Sequence, residues 1–71
     1  MTIVFTKHAR LRMAQRDINE AEVINAIEKP DEVISIGSKR IFRKTFTERN
    51  KTLEVVGRVE GKNIVVITVY W

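Results

Sequence analysis

Residues 52–71 read TLEVVGRVEGKNIVVITVYW, and this stretch decides the fold. Its first half alternates, with Leu53 and Val55 beginning a series of apolar or small residues separated by mostly polar ones. This period of two is typical of a half-buried β-strand. Residues 60–63, EGKN, carry a hairpin signal, and residues 64–71 are apolar on both faces, like a strand inside a sheet. The stretch therefore predicts a hairpin whose second strand is central.

Two further strands are predicted upstream of this hairpin. Residues 32–36, EVISI, are rich in β-formers, and the Gly37-Ser38 pair suits a two-residue turn. Residues 39–47, KRIFRKTFT, alternate again, and one face of that strand carries Phe42, Lys44 and Phe46. The second half of the chain therefore predicts four antiparallel strands.

The N-terminal half carries helix signals. Thr6 is a suitable N-cap for a helix from residue 7 to about residue 16. Asn19 is a suitable N-cap for a second helix, with Glu22 at the position that a capping box requires. Pro30 ends that helix, because the residue before a proline disfavours helical geometry. Residues 2–5, TIVF, fit either a short opening strand or an extended lead-in.

The predicted fold is α+β, with two N-terminal helices packed on one face of a four-stranded antiparallel sheet. The 71 residues make a single domain, 1–71. The chain has no cysteine and one histidine, which argues against disulfides and a zinc site. Nucleotide-binding glycine motifs are also missing, so we expect no metal and no cofactor.

Charge and hydropathy narrow the classes of partner. Thirteen Lys and Arg against nine Asp and Glu give a net charge of +4, which favours an anionic partner and nucleic acid above all. Basic charge that serves only solubility stays open as an alternative. No apolar run approaches the ~18–20 residues of a membrane span, and no targeting segment is visible. We expect a cytoplasmic protein, consistent with the lack of cysteine.

A second informative stretch, FTKHARLRMAQRDI, contains the only histidine. His8, Arg12 and Arg16 recur every four residues and so form a row along one side of the first helix, beside Ala9 and Met13. Cations at the edge of a core cost free energy unless an anion meets them. Phosphate is the natural ligand, since the planar guanidinium matches its oxygens.

A structural role for the row stays open. His8 lies near a helix start, where histidine often caps or packs. Arg12 and Arg16 could instead bond to Glu54, to Glu60 or to backbone carbonyls with their stems buried. Spacing alone favours this structural alternative.

Three motifs resemble a known family. FTKHAxxRMxxRxI, VIxAIxxP and VVITVY are similar to the small bacterial and archaeal domain of unknown function 4258, in the same order over nearly the whole chain. That family is similar to the RelE-like toxins of the barnase, colicin and RelE ribonuclease fold, in which helices precede a four-stranded antiparallel sheet. The resemblance implies RNA as substrate, metal-independent cleavage, and an antitoxin protein as partner.

Residue by residue, the resemblance places His8 and Arg12 in an HAxxR core, Arg16 at a second arginine and Tyr70 in a terminal TxY. We expect His8 to act as general acid or base, and Arg12 and Arg16 to grip the scissile phosphate. Tyr70 is a candidate second proton-transfer or base-stacking residue, the former provided that nearby cations lower its pKa. Its alternative role is that of an aromatic side chain at the edge of the core.

Arg40, Arg43 and Lys44 of the predicted strand 39–47 are expected to contact nucleic acid. The alternative for Arg40 and Arg43 is a solvated basic hairpin, and an equal alternative for Lys44 is a lysine at the edge of the core with a solvated ammonium group. The predicted function is a metal-independent endoribonuclease of toxin–antitoxin type. The alternative is a non-catalytic, small basic module that binds nucleic acid or protein. A monomer and a homodimer both remain open.

Overall fold

The computed structural model describes residues 1–71 and contains two helices and five strands. In chain order these elements are β1 (Thr2–Phe5), α1 (Lys7–Gln15), α2 (Glu20–Glu28), β2 (Glu32–Ile36), β3 (Lys39–Phe46), β4 (Lys51–Glu60) and β5 (Asn63–Tyr70). Neither helix is long and apolar enough to cross a membrane.

The five strands form one mixed sheet in the order β1-β5-β4-β3-β2. Strands β2 to β5 pair antiparallel as predicted, but β1 adds a fifth strand, which pairs parallel to β5 from Thr2 opposite Asn63 to Phe5 opposite Val66. The prediction of a four-stranded, purely antiparallel sheet is therefore wrong. The extra strand pairs with one edge of β5 and β4 pairs with the other, so β5 is an interior strand of the sheet.

Local signals in the sequence set the element boundaries. The Thr6 hydroxyl accepts a hydrogen bond from the Ala9 amide at 3.0 Å and begins α1. Asn19 and Glu22 form the complete capping box of α2, which ends at Glu28 ahead of Pro30. Gly37 and Gly61 adopt φ near +60° in the β2–β3 and β4–β5 turns, a conformation that favours glycine.

Both helices pack on the same face of the sheet. The core contains Ala9, Met13, Ile18, Val23, Ala26, Ile27, Phe42, Phe46, Leu53, Val55, Ile64, Val66 and Val69. Strand register explains this set, because Phe42 lies opposite Val55 and Val55 opposite Val69 on the helix-covered face. The opposite face of the sheet has no helix over it and carries no fully buried side chain.

Candidate functional site

Helix α1 positions the predicted row of cations. Ala9 and Met13 are buried in the core, so the side of α1 that carries them faces β5. His8, Arg12 and Arg16 lie next to this buried side, as predicted from their spacing, with His8 and Arg16 exposed and Arg12 half-buried. We call these three residues the α1 row.

No member of the α1 row contacts a carboxylate. The His8 side chain makes no hydrogen bond within the chain, and Arg12 Nη1 donates to Gln15 Oε1 at 3.0 Å. Arg16 Nη1 donates to the Val69 carbonyl at 2.9 Å. The expected alternative in which Arg12 and Arg16 pair with Glu54 or Glu60 is wrong, whereas a backbone carbonyl does hold Arg16. Their acceptors are neutral, so the positive charge of the row is not cancelled inside the protein.

The α1 row lies beside the C-terminal half of β5. Strand β1 stops pairing at Val66, so β5 has a free side beyond that residue. Side chains at the two ends of α1 occupy carbonyls of this segment: Thr6 Oγ1 donates to Ile67 O at 3.3 Å, and Arg16 reaches Val69 O. The Trp71 indole N–H donates a hydrogen bond to Arg16 O at 3.0 Å. These contacts fix both ends of α1 against the C-terminal half of β5.

Four of the five other arginines behave differently, and Arg40 resembles Arg16 in having only neutral acceptors. Four of the chain's arginines contact carboxylates, whereas Arg40 bonds to the carbonyls of Gly37 and Lys39. The carboxylate pairs are Arg10–Glu20, Arg43–Glu32, Arg43–Glu54, Arg49–Asp17, Arg49–Glu22 and Arg58–Glu60. Arg12 and Arg16 are thus set apart within one helix from their neighbour Arg10.

Tyr70 belongs to a different surface. It shares its side of the sheet with Glu54, on the face away from the helices, and its hydroxyl donates to Glu54 Oε1 at 3.2 Å. Burial of the phenol, together with the charge and hydrogen bond of Glu54, raises the pKa of Tyr70 above its ordinary value of 10.0. Nearby Arg43 lowers that pKa but does not prevail. The condition for Tyr70 as a proton-transfer group, a lowered pKa, is not met.

The three predicted nucleic-acid contacts do not form one patch. Arg43 lies on the open face of the sheet, paired with two glutamates. Lys44 and Arg40 alternate with it and lie on the helix-covered face. The Lys44 ammonium donates to the Lys29 carbonyl at 2.9 Å, at the end of α2. These side chains therefore lie on two faces of the sheet, and each of them has a partner within the chain.

Surface cavities do not coincide with the α1 row. One cavity of about 330 Å³ lies at the β4–β5 turn, beside Met1 and Val59. Another, of about 280 Å³, lies on the open sheet face beside Lys39 and Ile67. The row therefore presents an open surface, and no group of three His, Asp or Glu side chains anywhere in the chain is placed to hold a metal ion.

A family model matches residues 5–71, which is nearly the whole chain. Its description is "Domain of unknown function (DUF4258)". The chain belongs to this family. Neither the comparison with curated proteins nor the comparison with solved structures gave a match. The matched range includes both the α1 row and strand β5, against which α1 packs.

Two residues around the site of this DUF4258 chain were missed by sequence reasoning. Gln15 supplies the neutral acceptor for Arg12, and the signal was available, because residues three apart on a helix are neighbours. Trp71 ties the end of α1 to β5 through Arg16 O. That contact joins opposite ends of the chain, so no local pattern could have indicated it.

Proposed function

We propose that this DUF4258 protein is a metal-independent endoribonuclease of toxin type that binds a phosphodiester with Arg12 and Arg16 and transfers protons with His8. The observation that carries this proposal is that both guanidinium groups bond only to neutral oxygens, at 3.0 Å and 2.9 Å. A protein that needed these arginines for ion pairs alone would supply carboxylates, as it does for Arg10, two residues before Arg12.

Electrostatics supports phosphate as the ligand. A guanidinium presents several N–H donors in a plane, and each arginine of the row uses one nitrogen, Nη1, internally. The remaining donors are free for phosphate oxygens, with which arginine forms charge-assisted, bidentate hydrogen bonds. Two such contacts stabilise the extra negative charge of a pentacoordinate phosphorane more than they stabilise the ground state.

His8 supplies the proton chemistry. Histidine is the side chain whose ordinary titration lies near neutral pH. The imidazole takes the proton of the ribose 2′-hydroxyl, and the 2′-oxygen forms a bond to phosphorus. The bond from phosphorus to the 5′-oxygen breaks, and the 5′-oxygen leaves with a proton from water. The imidazolium then gives its proton to the hydroxide that remains, which restores the neutral imidazole. The products are a 2′,3′-cyclic phosphate and a free 5′-hydroxyl, and no metal ion or cofactor takes part.

One observation favours the second candidate, a non-catalytic binding module. The row lies on an open surface, and Tyr70 is engaged by Glu54, so no second proton-transfer group has been identified beside His8. In that case the row is an anion clamp for RNA or for an acidic segment of a partner protein. An antitoxin would use the same chemistry to cover the row.

Cleavage assays on the whole chain with EDTA present separate the two candidates. The protein is incubated with single-stranded RNAs of several sequences, alone and with ribosomes, and the 3′ ends of products are analysed for cyclic phosphate. We expect cleavage by the natural chain and a rate at least about 100-fold lower for His8→Gln, since one proton-transfer group contributes about 10²–10⁴-fold. Arg58→Gln, on the opposite face, is the control.

Binding measured on the same RNAs completes the test. If His8→Gln binds RNA like the natural chain but does not cleave it, the ribonuclease proposal holds. Intact RNA in every reaction, combined with binding that Arg12→Gln weakens, would reject cleavage and leave the binding module. Absence of both cleavage and binding would reject both candidates.

A further inference from the structure

Strand β2 is an unprotected edge of the sheet. It lies last in the strand order, and β3 is its only neighbour. All five of its residues, Glu32–Ile36, are exposed. Three of them are large and apolar: Val33 is 44% exposed, Ile34 37% and Ile36 61%. An edge of this kind is a template for pairing with another strand.

The usual protections of an edge strand are missing from β2. Natural edges carry lysines, prolines or bulges that prevent pairing. β2 reads EVISI and contains none of them, and its register with β3 is regular from Glu32 to Ile36. Its single charge, Glu32, is held at 3.2 Å by Arg43 of the neighbouring strand.

The hairpin turn determines which backbone groups point outward. A two-residue turn, here Gly37 and Ser38, is closed by a hydrogen-bonded pair, which is Ile36 and Lys39. Hydrogen-bonded and non-hydrogen-bonded pairs alternate along an antiparallel ladder. Val33 and Ser35 therefore direct their N–H and C=O groups away from β3, toward the free edge.

We infer that β2 pairs antiparallel with β2 of a second copy of this chain, with the two-fold axis at Ile34. This arrangement aligns all five residues, and the outward groups of Val33 meet those of the partner subunit's Ser35. Ile34 lies opposite Ile34 of the partner subunit, and Ile36 opposite Glu32 of the partner subunit. A two-fold axis normal to the sheet keeps both sets of helices on one side of a ten-stranded sheet.

Charge complementarity points to a second copy. Paired residues of antiparallel strands share a face, so Lys39, its neighbour Ile36 and the partner's Glu32 form one row on the open face. The lysine stem can cross Ile36 toward that glutamate, and the two-fold axis creates this pair twice. The two Glu32 carboxylates lie at opposite ends of the paired strands and do not repel each other.

The dimer leaves the α1 row free. Helix α1 packs on β5, and β4 and β3 separate β5 from the β2 edge. Two five-residue strands make a small interface, so we expect a dimer that dissociates on dilution. This inference does not depend on the ribonuclease proposal.

Single cysteines in a chain that has none test the register directly. In the inferred dimer the two Ile34 Cα atoms form a non-hydrogen-bonded pair about 4.5 Å apart, which a disulfide can bridge. The two Ile36 Cα atoms lie at opposite ends, roughly 13 Å apart along the strand. We expect Ile34→Cys to form a covalent dimer under mild oxidation at least about tenfold faster than Ile36→Cys.

The difference in exposure between positions 34 and 36 lets these two variants distinguish the inferred dimer from random collisions. Ile36 is 61% exposed and Ile34 only 37%, so random collisions would oxidise the cysteine at position 36 faster. Equal rates, or faster crosslinking at position 36, would overturn the inferred register.

Proline at position 35 provides the second measurement. Ser35→Pro removes an outward N–H and leaves the bonds to β3, which an edge strand tolerates. Light scattering across a concentration series should show dimers for the natural chain and for Ser35→Ala, and monomers for Ser35→Pro. A natural chain that stays monomeric at every concentration, or a Ser35→Pro variant that still dimerises with native circular dichroism, would contradict the proposal.

Discussion

Arginine occurs in two contrasting settings in this protein. In the Arg49 corner, formed by Arg49, Glu22, Asp17 and Trp71, the guanidinium donates from Nε to Glu22 Oε2 at 2.6 Å and lies 5.0 Å from the indole ring centroid. In the α1 row, Arg12 and Arg16 find only an amide and a carbonyl oxygen. The first setting neutralises the cation and the second retains its charge.

This contrast separates stability from binding. The Arg49 side chain is 27% exposed and that of Glu22 12%, so their ion pair is partly shielded from water and holds a turn against a helix start. Neutral acceptors orient Arg12 and Arg16 without cancelling their charge, which is the arrangement a phosphate site requires. Removing the Arg49 contacts should therefore lower the free energy of unfolding, whereas removing Arg12 and Arg16 should lower the affinity for RNA.

The largest expected effect is on RNA affinity. The double variant Arg12→Gln/Arg16→Gln keeps amide donors for the internal hydrogen bonds but removes both charges. We expect the dissociation constant for single-stranded RNA to rise at least about tenfold, since two charge-assisted contacts are lost. The slope of log K against log[salt] should fall in magnitude by about 1.4, from about 0.7 per phosphate contact. Fluorescence anisotropy at several salt concentrations measures both quantities.

A matched variant removes the same net charge from arginines that already have carboxylate partners. Arg10→Gln/Arg58→Gln should change affinity and salt slope much less, because Glu20 and Glu60 already offset those charges. Equal losses of RNA affinity in the two double variants would mean that net charge alone drives binding, and would contradict a specific role for the α1 row.

The next effect is on stability. Glu22→Ala removes the partner of Arg49 and the carboxylate that accepts from the Asn19 amide at 3.1 Å. We expect the free energy of unfolding to fall by about 2 kcal/mol, because the change removes a cap and leaves the partly buried Arg49 with only its longer, 3.6 Å contact to Asp17. Urea unfolding followed by circular dichroism measures the change.

Two control variants should each lower the free energy of unfolding much less than Glu22→Ala does. Glu20→Ala, in the same helical turn, removes an exposed pair and should cost about 0.5 kcal/mol or less. Arg12→Gln should also stay within about 0.5 kcal/mol, as surface substitutions usually do. If Arg12→Gln lowered the free energy of unfolding as much as Glu22→Ala does, Arg12 would serve stability and not ligand binding.

The smallest effect concerns Tyr70, the only tyrosine in the chain. Because its pKa is raised above 10.0, the ultraviolet titration of phenolate should have its midpoint above that pH. Folding then favours the neutral phenol, so its contribution to stability is complete below about pH 10 and is lost as pH rises through the folded pKa. Glu54→Gln should lower the midpoint, because it removes the negative charge that disfavours phenolate. A midpoint at or below 10.0 in the folded chain would contradict the described environment.

Local chemistry in the sequence predicted most of the elements. Thr6, the Asn19–Glu22 box and Pro30 each act within one helical turn, and their signals were sufficient to place both helices. Alternation placed β3 and β4, and the continuous apolar run placed β5, each to within one residue. The parallel pairing of β1 was not predictable, because four residues reveal a preference for extended structure but not the partner strand.

The site was predictable to a similar extent. Helical periodicity placed the α1 row beside Ala9 and Met13, which are buried as expected. The surroundings of Arg43 and Tyr70 depend on register across strands: Glu54 lies opposite both. A shift of the β3–β4 or β4–β5 pairing would have given these side chains other partners. Their contacts with Glu54 therefore could not be predicted from the spacing of residues in the sequence.

The parallel contact between β1 and β5 also determines when the site can exist. Thr2 pairs with Asn63, and both Thr6 and Arg16 bond to carbonyls farther along β5. A ribosome-bound chain that has emerged only as far as β4 lacks the surface on which α1 is seated. Such pairing between distant segments forms late and slows folding. Synthesis therefore delivers an organised α1 row only after the final strand has docked.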